Sequence, residues 1–309
     1  MAVVGVTDAE PDDGVDVAVV GGGPAGCAAA IFTARADLAT VVFDRGRSSL
    51  RQCAHLQNYP GFPGGIDVET FYDLLHAHVE TAGCALEPAF VDAVTRATEG
   101  PGFLVETDDG GVTRARRVVA ATRYDSEYLR PLDDGEMYTE HEHGGEVHEH
   151  FDREFADADG RTPVDGLYVA SPVGERSYQV VTAAGQGARV GRTVVGDVRR
   201  EEGYPGRFAE HVDWLRRESA RDPDLDSRAA VRAHFEAHLP DDHGLDPSRL
   251  EDLLEAAVDD RLDSYLTDEE VAERRRRAHD RLLEHLDDDR IRAYLDREAA
   301  DGGPGAGDA

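Results

Sequence analysis

The apolar run VDVAVV at residues 15–20 breaks at three consecutive glycines, and the chain resumes as PAGCAAAIFTAR, alanine-rich with apolar positions at helical spacing. This pattern predicts a strand, a tight turn and a helix from Pro24 to about Ala36. A second apolar run, residues 39–43, ends at Asp44 and reads as the next strand. Helical spacing returns over residues 66–82, with Asp67 as N-cap and Phe71, Leu74, Leu75, His78 and Val79 on one stripe. On that stripe His78 reads as a hydrogen-bonded core or boundary residue. Short strand-like runs follow at 89–94, 102–107 and 113–122, with Asp109-Gly110-Gly111 as a turn. TPVDGLYVASPV at 162–173 predicts another strand. The segment from Tyr178 predicts a helix whose small residues, through Ala188 and Gly191, suit close packing on a sheet. From about Arg199 the apolar residues form helical stripes among dense Asp, Glu and Arg, for example Leu250, Leu253, Leu254, Ala257 and Val258 on one face. Trp214, the single tryptophan, is expected in a core or domain contact.

Charge changes this picture. The 309 residues carry 64 acidic and 33 basic side chains, a net charge of -31, and every basic residue is arginine. Such an excess repels nucleic acid phosphates and anionic membranes, so neither is an expected partner. It also destabilises a compact chain unless salt screens it, and the composition resembles the proteins of extremely halophilic archaea. The acids are spread along the chain rather than gathered in a tail. Cys27, Cys53 and Cys84 are isolated, without C-x-x-C or zinc-ligand spacing. With no apolar run long enough to span a membrane and no secretory pattern in the leader, the expected localisation is cytoplasmic.

The chemistry concentrates at the first turn. Gly21 permits a sharp turn, Gly23 lets backbone approach a pyrophosphate, Gly26 lets the helix pack on the strand, and free N–H groups at the helix start favour anions. Asp44 lies where an acidic side chain accepts hydrogen bonds from an adenosine ribose. The string GGGPAGCAAAIFTAR, with Asn58-Tyr59-Pro60-Gly61-Phe62 downstream, resembles FAD-binding flavoproteins of the thioredoxin reductase type. The resemblance covers residues 15–198. It implies an α/β fold, an FAD-binding Rossmann-like parallel sheet with a β-meander layer, plus an α-helical C-terminal region. Expected boundaries are a disordered leader at 1–14, the FAD-binding domain at 15–200, the helical region at 201–300 and a disordered tail at 301–309. FAD is the implied cofactor, with Gly21, Gly23, Pro24, Ala25, Gly26, Asp44, Arg45, Asn58, Thr122, Gln179 and Val180 as its binding residues. The helix start after Ser177 is expected to favour a reduced, anionic flavin.

The chain also departs from that family. Arg123 stands where the family has glycine, and Ser171-Pro172 stands where Gly-Asp would hold the ribityl chain. Only about 40 residues separate Thr122 from Thr162, too few for the family's NADPH domain, and they contain no second fingerprint. That interval instead holds MYTEHEHGGEVHEHF, a hairpin pattern with Gly144-Gly145 at its turn. Pairing across that turn would set His141 against His148, with His143, Glu146 and His150 on the same face. The cluster reads either as a transition-metal site or as a solvated hairpin, and sequence alone assigns no metal ligand. The expected function is an FAD-dependent oxidoreductase that is not a self-sufficient NADPH-thioredoxin reductase, with an unidentified electron-donor or acceptor protein as partner and a homodimer left open. No catalytic residue is assigned, and a non-catalytic scaffold derived from a flavoprotein is the alternative.

Overall fold

The computed structural model describes residues 14–123, 126–143, 146–171, 179–240 and 242–300, with backbone alone at 141, 143 and 146. Residues 1–13 of the expected leader, the expected tail, Pro172, Ser177, Tyr178 and the Gly144-Gly145 turn lie outside the described residues.

The chain divides into two units, Met1–Asp213 with His238–Leu253, and Trp214–Ala237 with Leu254–Ala309. In the first unit, β1 (Val15–Val20), α1 (Pro24–Ala34) and β2 (Thr40–Phe43) form the strand-turn-helix-strand read from the sequence. A 3-10 turn and a small pair, β3 (His55–Leu56) with β4 (Ile66–Asp67), lead into α2 (Val68–Thr81). Asp67 caps α2 as expected, its carboxylate accepting from the Thr70 N–H at 2.9 Å. Then come β5 (Ala85–Glu87), β6 (Val91–Arg96), β7 (Phe103–Thr107) and β8 (Val112–Ala120). The hairpin β9 (Tyr138–His143) and β10 (Glu146–Phe151) follows, then β11 (Leu167–Val169) and α3 (Val180–Glu201).

The main sheet has the order β5-β2-β1-β8-β7-β6, with β11 also on β8. Strands β5, β2, β1, β8 and β11 pair in parallel, whereas β6, β7 and the first half of β8 form an antiparallel meander. Strand β8 serves both layers. Residues 112–115 pair with β7, and farther along the same edge Val118 to Ala120 pair with β11. Both faces of β1 are covered, which explains a continuous apolar run instead of an alternating one. Ala18 and Val20 face a core shared with Val105, Val118, Leu129 and Met137, while Val17 and Val19 face Ala29, Ala30, Val190 and Val194.

The small residues of α3 serve a purpose the sequence did not disclose. A Cβ at Gly187 would stand 1.9 Å from the Ala25 carbonyl oxygen, and one at Gly191 would stand 2.7 Å from that of Ala29. The close approach is therefore helix to helix, α3 on α1, rather than helix to sheet. Away from this contact, a half-buried edge of α3 holds a polar network. The Asp197 carboxylate accepts both arms of the Arg161 guanidinium at 2.9 and 3.0 Å and the Tyr168 hydroxyl at 2.9 Å.

The second unit contains α4 (Arg228–Glu236), the C-terminal part of α5 (Pro247–Asp263), α6 (Asp268–Leu283) and α7 (Asp288–Ala300). A two-residue pair not expected from sequence, β12 (Arg216–Arg217) with β13 (Tyr265–Leu266), precedes the Thr267 capping box that starts α6. Arg228 and Arg232 both pair with Glu255, tying α4 to α5 within this unit. Leu254, Ala257 and Val258 are buried as their stripe predicts. Trp214 corrects an expectation: it is 70% exposed. It sits in an irregular stretch beside Val212 and Leu215, also exposed, so no regular face carries it inward.

Candidate functional site

The ends of β1, β2 and β8, the start of α1 and the loop after β2 enclose a cleft of about 870 Å³ in the first unit. Its walls include Gly21 to Ala25, Asp44, Arg45, Asn58, Thr122, Arg123, Gln179 and Val180. Ten of the eleven sequence-predicted site residues thus line one cavity, and Gly26 stands directly behind it. The volume lies at the upper end of the range for small-molecule sites.

The glycine turn has a distinct requirement at each position. Gly21 adopts φ +114°, and a Cβ there would stand 2.7 Å from the Ala121 carbonyl oxygen. A Cβ at Gly26 would fall 1.8 Å from the Gly21 carbonyl oxygen, so the first turn of α1 can lie on the loop only if this position is glycine. Gly23 differs: its φ is -82° and a Cβ would meet nothing closer than Ser48 Oγ at 3.5 Å. Side-chain space there opens toward the cleft. Gly22, which the sequence reading passed over, is the glycine Asp44 requires, since a Cβ there would lie 2.4 Å from the Asp44 Cβ. No side chain caps α1, and Pro24 at its first position has no N–H to satisfy. The remaining first-turn N–H groups and the positive end of the helix dipole face the cleft mouth, a fit for a bound phosphate.

Asp44 is fixed from two sides. Its Oδ1 accepts the Gly46 N–H at 3.0 Å, and its Oδ2 lies 3.4 Å from His76 Nε2, which also lies 3.1 Å from the Gly22 carbonyl oxygen. His76 and Tyr72 were missed by sequence reasoning. Both fall one helical turn apart on the side of α2 that carries Phe71, Leu75 and Val79, so the signal was a histidine on an apolar stripe. The Tyr72 hydroxyl is buried next to the glycine turn and makes no hydrogen bond of ordinary geometry. Burial pushes it up to about 12, and the nearby Ser48 hydroxyl offsets only part of this.

At the other end, Asn58 and Gln179 meet although 121 residues apart: the Asn58 amide donates to Gln179 Oε1 at 2.9 Å. This bond joins the Asn-Tyr-Pro-Gly-Phe loop to the start of α3, with Val180 beside it on the cleft wall. Tyr59 and Phe62 do not line the cleft. Tyr59 packs edge-on against Phe71 at 4.9 Å and Phe62 against Phe71 at 6.2 Å, so the aromatics anchor the loop on α2. Thr122 shares a 3.1 Å hydrogen bond with Tyr128, and Arg45 stacks on Phe90 at 5.1 Å.

Arg123 holds the left-handed backbone conformation of the glycine it replaces, φ +54°, at a cost of about 1–2 kcal/mol. Its guanidinium reaches Ser49 Oγ at 3.4 Å. With Arg45 and Arg47 it gives the cleft three arginines against Asp44, a polarity matched to a diphosphate in a chain that is otherwise strongly acidic. Of the cysteines, Cys27 and Cys84 are buried and pushed up to about 12 by that burial. Cys53 is half-buried on the cleft wall, its thiol 3.4 Å from the His55 carbonyl oxygen.

The family model of glucose inhibited division protein A matches residues 16–71, the segment containing the turn, Asp44 and the Asn58 loop. A thioredoxin reductase of Streptomyces coelicolor is 36% identical over 111 residues, 35% of this chain and 34% of the relative. NADPH-dependent thioredoxin reductase 3 of Arabidopsis thaliana is 32% identical over 121 residues, 37% of this chain and 22% of the relative. The chain thus spans about a third or less of these relatives' length. A solved thioredoxin reductase from Gloeobacter violaceus superposes with a TM-score of 0.50 at 17% identity, over 65% of this chain and 97% of that one, a likeness of fold. Among the described residues no helix is long and apolar enough to cross a membrane. With the glycine turn, the acid at the second strand end and the parallel sheet with its meander all in place, the chain has an α/β fold like that of the solved thioredoxin reductase.

Proposed function

We propose that the chain is an FAD-dependent oxidoreductase that receives its electrons from a partner protein or a diffusible reductant. The observation that carries this reading is the single cleft that gathers the turn, Asp44, the Asn58–Gln179 bond and three arginines. The backbone of Gly22 and Gly23 and the start of α1 would hold the pyrophosphate, and Asp44 would accept the ribose hydroxyls. Asn58, Gln179 and Val180 would border the ring system. Bound there, FAD supplies electron transfer, while the protein supplies orientation and electrostatics. The α3 start brings the positive end of a 22-residue helix to the same end of the cleft, which favours negative charge there.

Between β8 and β11 the described residues form a 3-10 turn and the β9–β10 hairpin, in the interval where the resemblance places an NADPH domain. With no C-x-x-C in the sequence either, the reading is a flavoprotein that passes electrons to or from a thioredoxin-like or other redox protein rather than oxidising NADPH itself. A cytoplasmic setting and the expected domain division at residue 200 belong to the same proposal. The test is anaerobic mixing of FAD-loaded protein with excess NADPH or NADH while flavin absorbance is followed. The flavin should stay oxidised, then bleach with dithionite and recover when an electron acceptor is added. Rapid stoichiometric bleaching by either nucleotide would overturn the assignment of the electron source. Bound flavin that dithionite cannot reduce would instead favour the scaffold.

A further inference from the structure

The second unit gathers three arginines at a corner where the chain supplies no carboxylate to meet them. Tyr265 on β13 pairs with Arg216 on β12, and the Ser264 carbonyl oxygen beside it accepts the Arg216 backbone N–H at 2.7 Å. The Arg216 guanidinium is tied to the same corner, its Nη1 donating to Ser264 Oγ at 2.9 Å and to the Trp214 carbonyl oxygen at 3.0 Å. Arg221 and Arg261 both lie over the Tyr265 ring, their guanidinium carbons 4.8 and 5.4 Å from its centroid. The 3-10 turn after β12 thus delivers Arg221 to the ring that Arg261 reaches from the last turn of α5. All three arginines are half-buried.

Like charges drawn together and partly out of water repel, and each guanidinium gives up hydration that only an acceptor restores. Burial and then Arg261 push the Arg216 guanidinium below its ordinary value, with the Tyr265 hydroxyl opposing them. Among the described residues none of the three arginines is in an ion pair, although the chain has 64 acidic side chains and other arginines of this unit find them. Arg217, which alternation turns to the other side of β12, meets Asp268 at 3.7 Å; Arg228 meets Asp259 at 2.6 Å and Arg232 meets Glu255 at 2.7 Å. The Arg221 Nε is shut off from water and has no acceptor, one of two such side-chain atoms among the described residues. Stacking on Tyr265 accounts for the flat faces of Arg221 and Arg261 but not for the N–H groups around their rims. A buried donor without an acceptor calls for one from outside the chain.

We infer that Arg216, Arg221 and Arg261 form a binding site for a phosphate-class oxyanion, either the free ion or the phosphoryl group of a larger molecule. A carboxylate offers a single charge, and the chain's own carboxylates stay out of this corner. A phosphate carries about two charges and directs its oxygens tetrahedrally, so several guanidinium forks can donate to it at once. The site lies wholly within the second unit and does not depend on the cofactor reading. Binding would clasp the turn after β12 to the end of α5.

The test is equilibrium dialysis of the full-length protein against radiolabelled inorganic phosphate in molar KCl, with and without saturating FAD. The site predicts one phosphate per chain that FAD does not displace. R261K, which keeps the charge and loses the fork, should weaken binding about tenfold or more, and R221Q/R261Q should abolish it. R275Q, at an exposed position of α6 outside the cluster, should leave it unchanged. Because each glutamine also relieves repulsion, the double variant should melt no lower than the parent without phosphate, and phosphate should raise the Tm of the parent alone. Phosphoserine as competitor separates the two sources: displacement assigns the site to a phosphoryl group on a larger molecule, and failure to displace assigns it to the free ion. No phosphate retained at saturation, phosphate displaced by FAD, or a double variant that binds as the parent does would each overturn the inference. If the double variant fails to fold, the comparison of R261K with the parent decides, and equal affinity there overturns it.

Discussion

Replacing Gly23 and Gly26 separately by alanine distinguishes a glycine kept for a ligand from one kept for packing. At Gly26 the new methyl would fall 1.8 Å from the Gly21 carbonyl oxygen, a backbone atom that cannot rotate away. Overpacking against rigid backbone costs about 3 kcal/mol or more, which for a unit of this size lowers Tm by about 6–12 °C. At Gly23 the methyl meets Ser48 Oγ at 3.5 Å and the Tyr72 hydroxyl at 3.8 Å, both ordinary contacts, and φ -82° suits any residue. The cost there is that of a poorer helix cap, about 0.5–1 kcal/mol. What Gly23→Ala should disturb is the ligand. Losing one charge-assisted hydrogen bond from backbone to pyrophosphate weakens binding by about 1.5–3 kcal/mol, or about 10- to 150-fold. Thermal melts of the FAD-free proteins and fluorescence titration with FAD read the two effects separately. A Gly23→Ala variant that binds FAD as tightly as the parent would show that the pyrophosphate does not lie on this turn. Gly26→Ala melting with the parent would refute the close approach of α1 to the loop.

Two further outcomes follow from charge. Asp197 is half-buried, which alone would raise its pKa, yet bonds from Arg161 and Tyr168 and the nearby Arg200 hold it below the ordinary carboxylate value. Its contribution is therefore present above the unfolded-state pKa near 4 and lost as pH falls through the lower folded value. Asp197→Asn should cost about 2–3 kcal/mol near neutrality, with the gap to the parent closing below about pH 4 in urea melts; a gap independent of pH would show that the network is not ionic. For the whole chain, a net charge of -31 implies self-repulsion that molar salt screens to a Debye length of about 3 Å. Tm should rise steeply up to molar KCl, and a Tm insensitive to salt would contradict the halophilic reading.

The sheet and the first helices were legible because each leaves a local signature: apolar runs for strands buried on both faces, and Asp67 at the start of α2. The cleft was legible because glycine positions and strand ends are fixed by short-range geometry. What sequence could not show was pairing at a distance. The Gly187 and Gly191 contacts with α1, the His76–Asp44 pair and the Asn58–Gln179 bond all depend on how elements dock. The exposure of Trp214 was hidden for the same reason, since burial of one aromatic residue follows from its neighbours in space and not in sequence. The hairpin lies between these cases: alternation marks its two strands, but the register in which they pair was not determined by sequence alone.

The central claim is that this cleft binds FAD, and the most direct measurement is titration of the FAD-free, full-length protein with FAD in molar KCl, followed by gel filtration and a visible absorption spectrum. The account predicts one flavin per chain co-eluting with the protein, and a marked loss of that flavin in Gly23→Ala. A protein that elutes colourless after saturation with FAD would contradict it.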